Sequence, residues 1–286
     1  MKTKIFRFAN RMVVAMLTCM FTIGLTSCGD DEPSVDELLS EETTPITFNL
    51  GKKGTHFLFD YAGNNYVGAD TIEVENAAQT SQTITLRQGR HRLVWLSGAA
   101  LGDGNKVGYI YYNPEKRTIC CRSTDSSFST DISVASSEVV VTPYLMPVQK
   151  VEYQSLCYCI AFSATDYGAT GMNETSYAHI HGLPQIQEMS IEGAAYITNA
   201  STGIFSFRPF NGTMERKRVS AFFLCPNNGI DNIQLTCEAN DWKGNPVSTS
   251  QFPKISVRRG YITHITGPLI GGSTGDFVVT MEPIGN

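Results

Sequence analysis

Residues 83–96 read TITLRQGRHRLVWL. Thr83-Ile84-Thr85-Leu86 alternates polar with apolar, Gln88-Gly89 breaks the pattern, and Arg90 to Trp95 resumes an extended run. Alternation with period two marks a strand with one buried face, and a glycine between two such runs marks a turn. The stretch predicts two strands meeting at Gln88-Gly89.

The same grammar runs outward in both directions. Upstream, Ile46-Thr47-Phe48-Asn49-Leu50 and Thr71-Ile72-Glu73-Val74 alternate. Downstream, 107–112 and 117–122 flank Asn113-Pro114-Glu115-Lys116, a hairpin turn. Further strands are expected at 138–141, 156–162, 179–181, 188–192, 203–207, 218–224, 233–238, 254–257, 261–265 and 277–281. Turn clusters such as Pro226-Asn227-Asn228-Gly229 and Trp242-Lys243-Gly244-Asn245-Pro246 separate them. Beyond a single helical turn at 35–39, no amphipathic helix of ordinary length is present. Many short, evenly spaced strands specify an all-β chain of sandwiches or barrels. The two prolines of Thr142-Pro143-Tyr144-Leu145-Met146-Pro147 place a boundary near the midpoint. An N-terminal β-sandwich domain is therefore expected over 45–146 and a C-terminal one over 147–286.

The first 27 residues have the three parts of an export signal. Lys2, Lys4, Arg7 and Arg11 form a basic region, and Met12 to Leu25 form an apolar run too short to span a bilayer. Leu25-Thr26-Ser27-Cys28 then resembles a bacterial lipobox, in which the Cys28 sulfur and the new α-amino group carry acyl chains such as palmitate. At about 0.8 kcal/mol per buried methylene, two or three chains hold a protein firmly at a membrane. Residues 28–44 carry Asp30, Asp31, Glu32, Asp36, Glu37, Glu41 and Glu42 with no Lys or Arg, and read as a solvated acidic tether.

The signal region takes four of the 22 basic residues and no acidic ones, leaving 18 Lys+Arg against 27 Asp+Glu. That balance argues against nucleic acid as a partner, which requires a basic face. Six cysteines follow Cys28. Cys157 and Cys159 share one face of a strand too far apart to bridge, and Cys120 and Cys121 point to opposite faces. With no CxxC pair, neither a disulfide framework nor a structural zinc site is expected; buried free thiols are.

Catalytic constellations are missing. Gly271-Gly272-Ser273-Thr274-Gly275 matches G-x-S-x-G, but a strand follows where a nucleophile elbow needs a helix, so a linker is the better reading. His179-Ile180-His181 puts two imidazoles on one strand face without a third ligand nearby, and solvent-facing histidines are expected there rather than a metal. The pair Asp30-Asp31 sits in the tether, where no general acid is held in place. No enzyme activity, cofactor or metal is expected. Trp95, Tyr109, Tyr111 and Tyr112, with Trp242, are candidates for a carbohydrate-stacking platform, although aromatics also fill sandwich cores. Asp70-Thr71-Ile72 resembles the O-glycosylation sequon of exported Bacteroidota proteins, with Thr71 as acceptor.

The order of parts resembles the fimbrillin superfamily of Bacteroidota, the subunits of type V pili. The resemblance rests on the lipobox, the acidic tether, residues 83–96, the 148–162 entry into the second domain, and Ile255-Ser256-Val257-Arg258-Arg259-Gly260-Tyr261-Ile262-Thr263. It implies two tandem transthyretin-like (Greek-key) β-sandwich domains, and assembly by strand addition, in which an Arg-specific protease removes the first strand of a shaft subunit and another subunit's segment fills the groove. Here Lys52 and Lys53 follow the first strand, and the first arginine after Cys28 is Arg87. That departure points to an anchor or accessory subunit that keeps its first strand. The tail from Asp276 to Met281 is either a last core strand or a donor strand. Asp30-Asp31-Glu32 after Cys28 resembles a surface-export signal, so the expected place is the outer membrane, lipid-anchored and facing the exterior, with other pilus subunits or host or bacterial surface ligands as partners. The competing expectation is a surface glycan-binding lipoprotein without catalytic activity.

Overall fold

The structure, a computed structural model, describes residues 33–98, 110–121, 129–166, 177–192, 195–208, 210–211, 214–215, 218–241 and 243–285. One helical turn, α1 (Val35–Leu38), leads into β1 (Leu39–Asn49), β2 (Gly54–Ala62), β3 (Asn65–Val74) and β4 (Ser81–Ser97). The hairpin β5 (Ile110–Asn113) and β6 (Thr118–Cys121) precedes β7 (Ser133–Val141), β8 (Gln149–Lys150) and β9 (Gln154–Ser155). Then come β10 (Cys157–Ala164), β11 (Tyr177–Ser190), β12 (Ala195–Phe207), β13 (Phe210–Asn211), β14 (Met214–Glu215) and β15 (Arg218–Leu224). The chain closes with β16 (Ile230–Ile233), β17 (Thr236–Asn240), β18 (Pro246–Gln251), β19 (Ile255–Val257), β20 (Tyr261–Gly267) and β21 (Val278–Pro283). The protein is all-β and sandwich-like.

The stretch at 83–96 is one long strand, not two. β4 pairs antiparallel with β1 through its first half and with β2 and β7 through its second. Phe48 on β1 faces Gln82 in register, yet its ring lies 5.0 Å from that of Trp95. A straight strand would separate positions 82 and 95 by roughly 43 Å. β4 must therefore fold over between them, carrying the chain from one layer to the other as strands do at sandwich corners. Gly89 is the corner: its φ is 139°, and a Cβ there would stand 2.7 Å from both Leu38 O and Leu39 Cδ2. The glycine expected to mark a turn between two strands instead bends one continuous strand.

Three apolar cores follow. The first lies inside the fold of β4 and contains Ile46, Phe48, Leu50, Leu58, Leu93 and Trp95. The other face of the same strands, through Tyr61, Val94 and Leu96, packs on Ile110, Ile119, Ile186 and Met189 in a second core. The third fills the C-terminal sandwich, between the sheet ordered β15-β10-β20-β21 and the sheet ordered β18-β17-β11-β6-β5, with β12 beside β11. Tyr158, Ile160 and Phe162 point into it from β10.

Several boundaries differ from the sequence expectation. The strand expected from Ile46 starts at Leu39, whose side chain is buried, so residues 39–44 belong to the sheet and not to the tether. The first sheet also reaches past residue 146: β8 pairs with β1, β9 with β7, and Val151 lies in the first core. The runs 179–181 and 188–192 are parts of one strand, β11. Its first half pairs with β17 and its last residues with β6, so strand pairing crosses the expected midpoint division. All six cysteines after Cys28 are free thiols, as expected.

Candidate functional site

The C-terminal edge of the third core's four-stranded sheet is formed by β21, paired antiparallel with β20 from Thr266↔Val278 to Tyr261↔Pro283. All six of its residues are exposed, including Val278 at 64%, Val279 and Met281. The strand is held by its ladder and by two end clips. Phe277 inserts against Phe252, ring centroids 4.6 Å apart, into space left by Gly267 and Gly272. At the other end Ile284 N–H donates to Gly260 O at 2.8 Å. β1 contrasts with it: Leu39, Ile46 and Phe48 are all buried. The tail is thus a strand of its own sheet, but one that contributes no buried side chain between its clips.

A cleft of about 980 Å³ opens where the loop after β1 meets the tail after β21. Lys52 reaches into it, donating to Ser133 Oγ at 3.2 Å with its ammonium 4.3 Å from the Tyr153 ring centre. Ser133 Oγ in turn donates to Asp131 Oδ2 at 3.1 Å, and Ser155 Oγ donates to Oδ1 at 2.6 Å. Burial holds the Lys52 ammonium below the ordinary lysine range, with Asp131 opposing. Burial also raises Asp131, against the hydroxyl donors on its carboxylate. Behind Lys52, His56 Nδ1 lies 2.7 Å from Tyr153 OH while His56 Nε2 donates to Lys52 O at 3.2 Å. Nothing in the sequence signalled this cluster, because residues 52, 131 and 153 meet only through sheet pairing.

The sequence-derived residues disperse. Cys28, Asp30, Asp31, Glu32, Tyr109 and Trp242 lie outside the described residues. Thr71 stands exposed on β3, the edge of the first sheet. Trp95 is fully buried and Tyr112 nearly so, with Tyr112 OH 2.8 Å from Tyr61 OH in the second core; Tyr111 is half-buried. Trp95 and Tyr112 therefore serve as core, and an exposed platform cannot be built on them. Arg87 is held in mid-strand, donating to Ser40 O and Leu39 O and pairing with Asp36 at 3.1 Å. It buttons the N-terminal segment onto the corner of β4.

His179 and His181 share the outward face of β11 with ring centroids 6.0 Å apart, half-buried rather than solvent-facing. His179 Nδ1 lies 2.8 Å from Ser206 Oγ, and no group of three His, Cys, Asp or Glu among the described residues is arranged to hold a metal. Ser273 Oγ donates to Asp276 at 2.7 Å in a short 3-10 turn that delivers Phe277 to the core, so the G-x-S-x-G match is a structural cap. No described helix is long and apolar enough to cross a membrane.

These features define a sandwich-like all-β protein with an open C-terminal edge. No family model matches the sequence, and no curated protein matches it significantly. Among solved structures, a candidate polysaccharide-binding protein of Bacteroides thetaiotaomicron aligns with 85% of this chain and 98% of its own at 10% identity and a TM-score of 0.53. A candidate adhesin of the same organism covers 88% and 100% at 10% identity and 0.49. The tip fimbrial protein Mfa3 of Porphyromonas gingivalis covers 85% and 99% at 6% identity and 0.49. The first of these likenesses shares the fold.

Proposed function

We propose that the chain is an adhesion or pilus-type subunit, an anchor or accessory one, held at the outer membrane through lipid on Cys28 and joining its partners through a strand edge. The observation that carries this reading is β21: an apolar edge strand with every side chain exposed and no strand beyond it among the described residues. Unpaired N–H and C=O groups on such an edge are a template for another chain, and proteins that stay monomeric blunt it with charge or proline. β21 carries only Glu282 and the terminal Pro283. Lys52 and Lys53 directly after β1, with no arginine between Cys28 and Arg87, fit a subunit that accepts or caps rather than one whose first strand is removed. The polysaccharide-binding character ascribed to the first of the solved neighbours is in keeping with an adhesion role.

Two variants test this. Val279→Lys with Met281→Lys should abolish higher oligomers co-purifying with the outer membrane while leaving the melting temperature unchanged, because neither side chain is buried. Native protein that is strictly monomeric in cross-linked membranes would sink the strand-edge reading. Cys28→Ser should lose palmitate labelling and appear in the soluble fraction; a variant that still sediments with outer membrane would disprove the anchor.

A further inference from the structure

Away from β21, apolar exposure is concentrated at one place. Among the described residues outside that strand, the most exposed large apolar side chains are Leu145 at 96%, Tyr144 at 77%, Val148 at 60% and Val140 at 54%. All four belong to the end of β7 and the link to β8, and no charged residue lies between Glu138 and Lys150. Met146 packs against the first core and roots the link, while Pro143 and Pro147 restrict the backbone on either side of the tip. A lone exposed apolar residue is ordinary, but an uncharged cluster of them held outward marks a contact surface.

Its place in the fold identifies what covers it. Val141, where the link begins, pairs with Gly89, and Gly89 pairs on its other side with Leu39. At a strand spacing of about 4.8 Å, Val141 and Leu39 stand roughly 10 Å apart. From Leu39, α1 leads back to Pro33, whose carbonyl accepts from Asn65 Nδ2 at 2.8 Å. The chain from Pro33 back to Cys28 spans at most about 18 Å. The root of the apolar link and the exit towards the lipid proposed on Cys28 thus share one corner of the first sheet. We propose that Tyr144 and Leu145 insert into the interfacial layer of the membrane that holds this lipid, as a second membrane contact that orients the first sheet. Tyrosine and leucine suit that layer, with ring and chain buried and the hydroxyl left among headgroups. The tether makes insertion intramolecular, so a contact too weak to recruit a free protein still forms. A protein partner fits less well, because protein interfaces ring an apolar centre with polar and charged groups and the link carries no charge. The proposal rests on the anchor reading above, and its test separates the two.

The six cysteines after Cys28 are buried or half-buried, so a cysteine introduced at an exposed position takes a fluorophore selectively. Leu145→Cys and, as a control on β18, Val247→Cys are labelled with an environment-sensitive nitrobenzoxadiazole in the full chain purified with its lipid. Both are reconstituted into phosphatidylcholine vesicles, whose lack of net charge avoids repelling the exposed Asp36 and Glu41. A fraction of the lipid carries a doxyl quencher on its acyl chain, and flotation of the vesicles reports the anchor separately. The Leu145 probe should shift to the blue and be quenched by doxyl lipid, and the Val247 probe should do neither. Adding Tyr144→Asp should abolish the quenching while flotation and melting temperature stay unchanged. Protein that floats with an unquenched Leu145 probe overturns this proposal and leaves the anchor standing. A blue shift without quenching means that protein, such as a second copy, covers the tip, and also overturns it. So does equal quenching at both labels, or quenching that survives Tyr144→Asp. Protein that does not float overturns the anchor reading, and this proposal falls with it.

Discussion

Two buried histidines are shifted in opposite directions by their surroundings. His91 is fully buried, with Nδ1 at 2.8 Å from an Asp60 carboxylate oxygen and Nε2 at 2.7 Å from Arg87 O. Both partners are acceptors only, so both ring nitrogens donate and the ring is an imidazolium. Burial opposes this, but the Asp60 hydrogen bond and charge outweigh it and the pKa is raised. Burial lowers the pKa of His56, which favours the neutral ring, and the Tyr153 hydroxyl beside Nδ1 can donate to that form. The stability due to His91 is fully present below the unfolded-state value of 6.5 and falls as pH rises through the raised folded value. For His56 the folded state prefers the neutral ring, so stability falls as pH drops below 6.5. Thermal melts followed by circular dichroism between about pH 5.5 and 8 should peak near the ordinary histidine value. His91→Gln should flatten the alkaline limb and His56→Gln the acidic one; unchanged limbs would show that these groups do not titrate with folding. Neither partner was legible in the sequence, because Asp60 comes to His91 from another strand and Tyr153 comes to His56 from the link between β8 and β9.

At the scale of elements, β4 is where sequence and structure part most clearly. Alternation identified both halves as extended, and Leu93-Val94-Trp95-Leu96 carried enough apolar surface to require burial. What alternation cannot express is that β4 has cores on both faces, Leu93 and Trp95 toward one and Val94 and Leu96 toward the other. The same two-sided burial hid β2, where Leu58 and Tyr61 serve different cores, so the period-two signal cancels. Strands with one wet face, such as the Ile46–Phe48 part of β1, were read correctly. The hairpin β5–β6 was read from its turn chemistry, and Asn113 Oδ1 does accept from Lys116 N–H. Gly89 is the one residue on which the corner depends. Gly89→Ala combines an unfavourable backbone angle with contacts at 2.7 Å to Leu38 and Leu39, and should cost about 1–3 kcal/mol. Chemical denaturation measures this directly. Because the Cβ would push on the segment that Arg87 holds, faster proteolysis near Ser40 should accompany the loss. A neutral Gly89→Ala would mean that the corner tolerates a side chain the geometry excludes.

Across the whole molecule the second core decides how the parts behave together. It draws Tyr61, Val94 and Leu96 from the first sheet, Ile110 and Ile119 from the hairpin, and Ile186, Met189 and Leu224 from the C-terminal half. β11 supplies Ile180 and Leu183 to the third core and Ile186 and Met189 to the second, so one strand is common to both. Tandem domains joined by a linker would unfold separately, and a core mutation in one would leave the other's transition in place. Here the shared core couples them, and Met189→Ala should lower a single cooperative transition by about 2–5 kcal/mol. The same coupling predicts that a fragment ending at Met146 does not fold, since it lacks Val151 for the first core, β9 for the edge of β7, and β11 for the β5–β6 hairpin. Under the proposed anchoring through Cys28, such coupling means that a pull between the N-terminal end and the β21 edge acts across a shared core rather than on an exposed linker. Two resolved transitions in the Met189→Ala variant, only one of them shifted, would show the sandwiches to be independent and remove that mechanical argument.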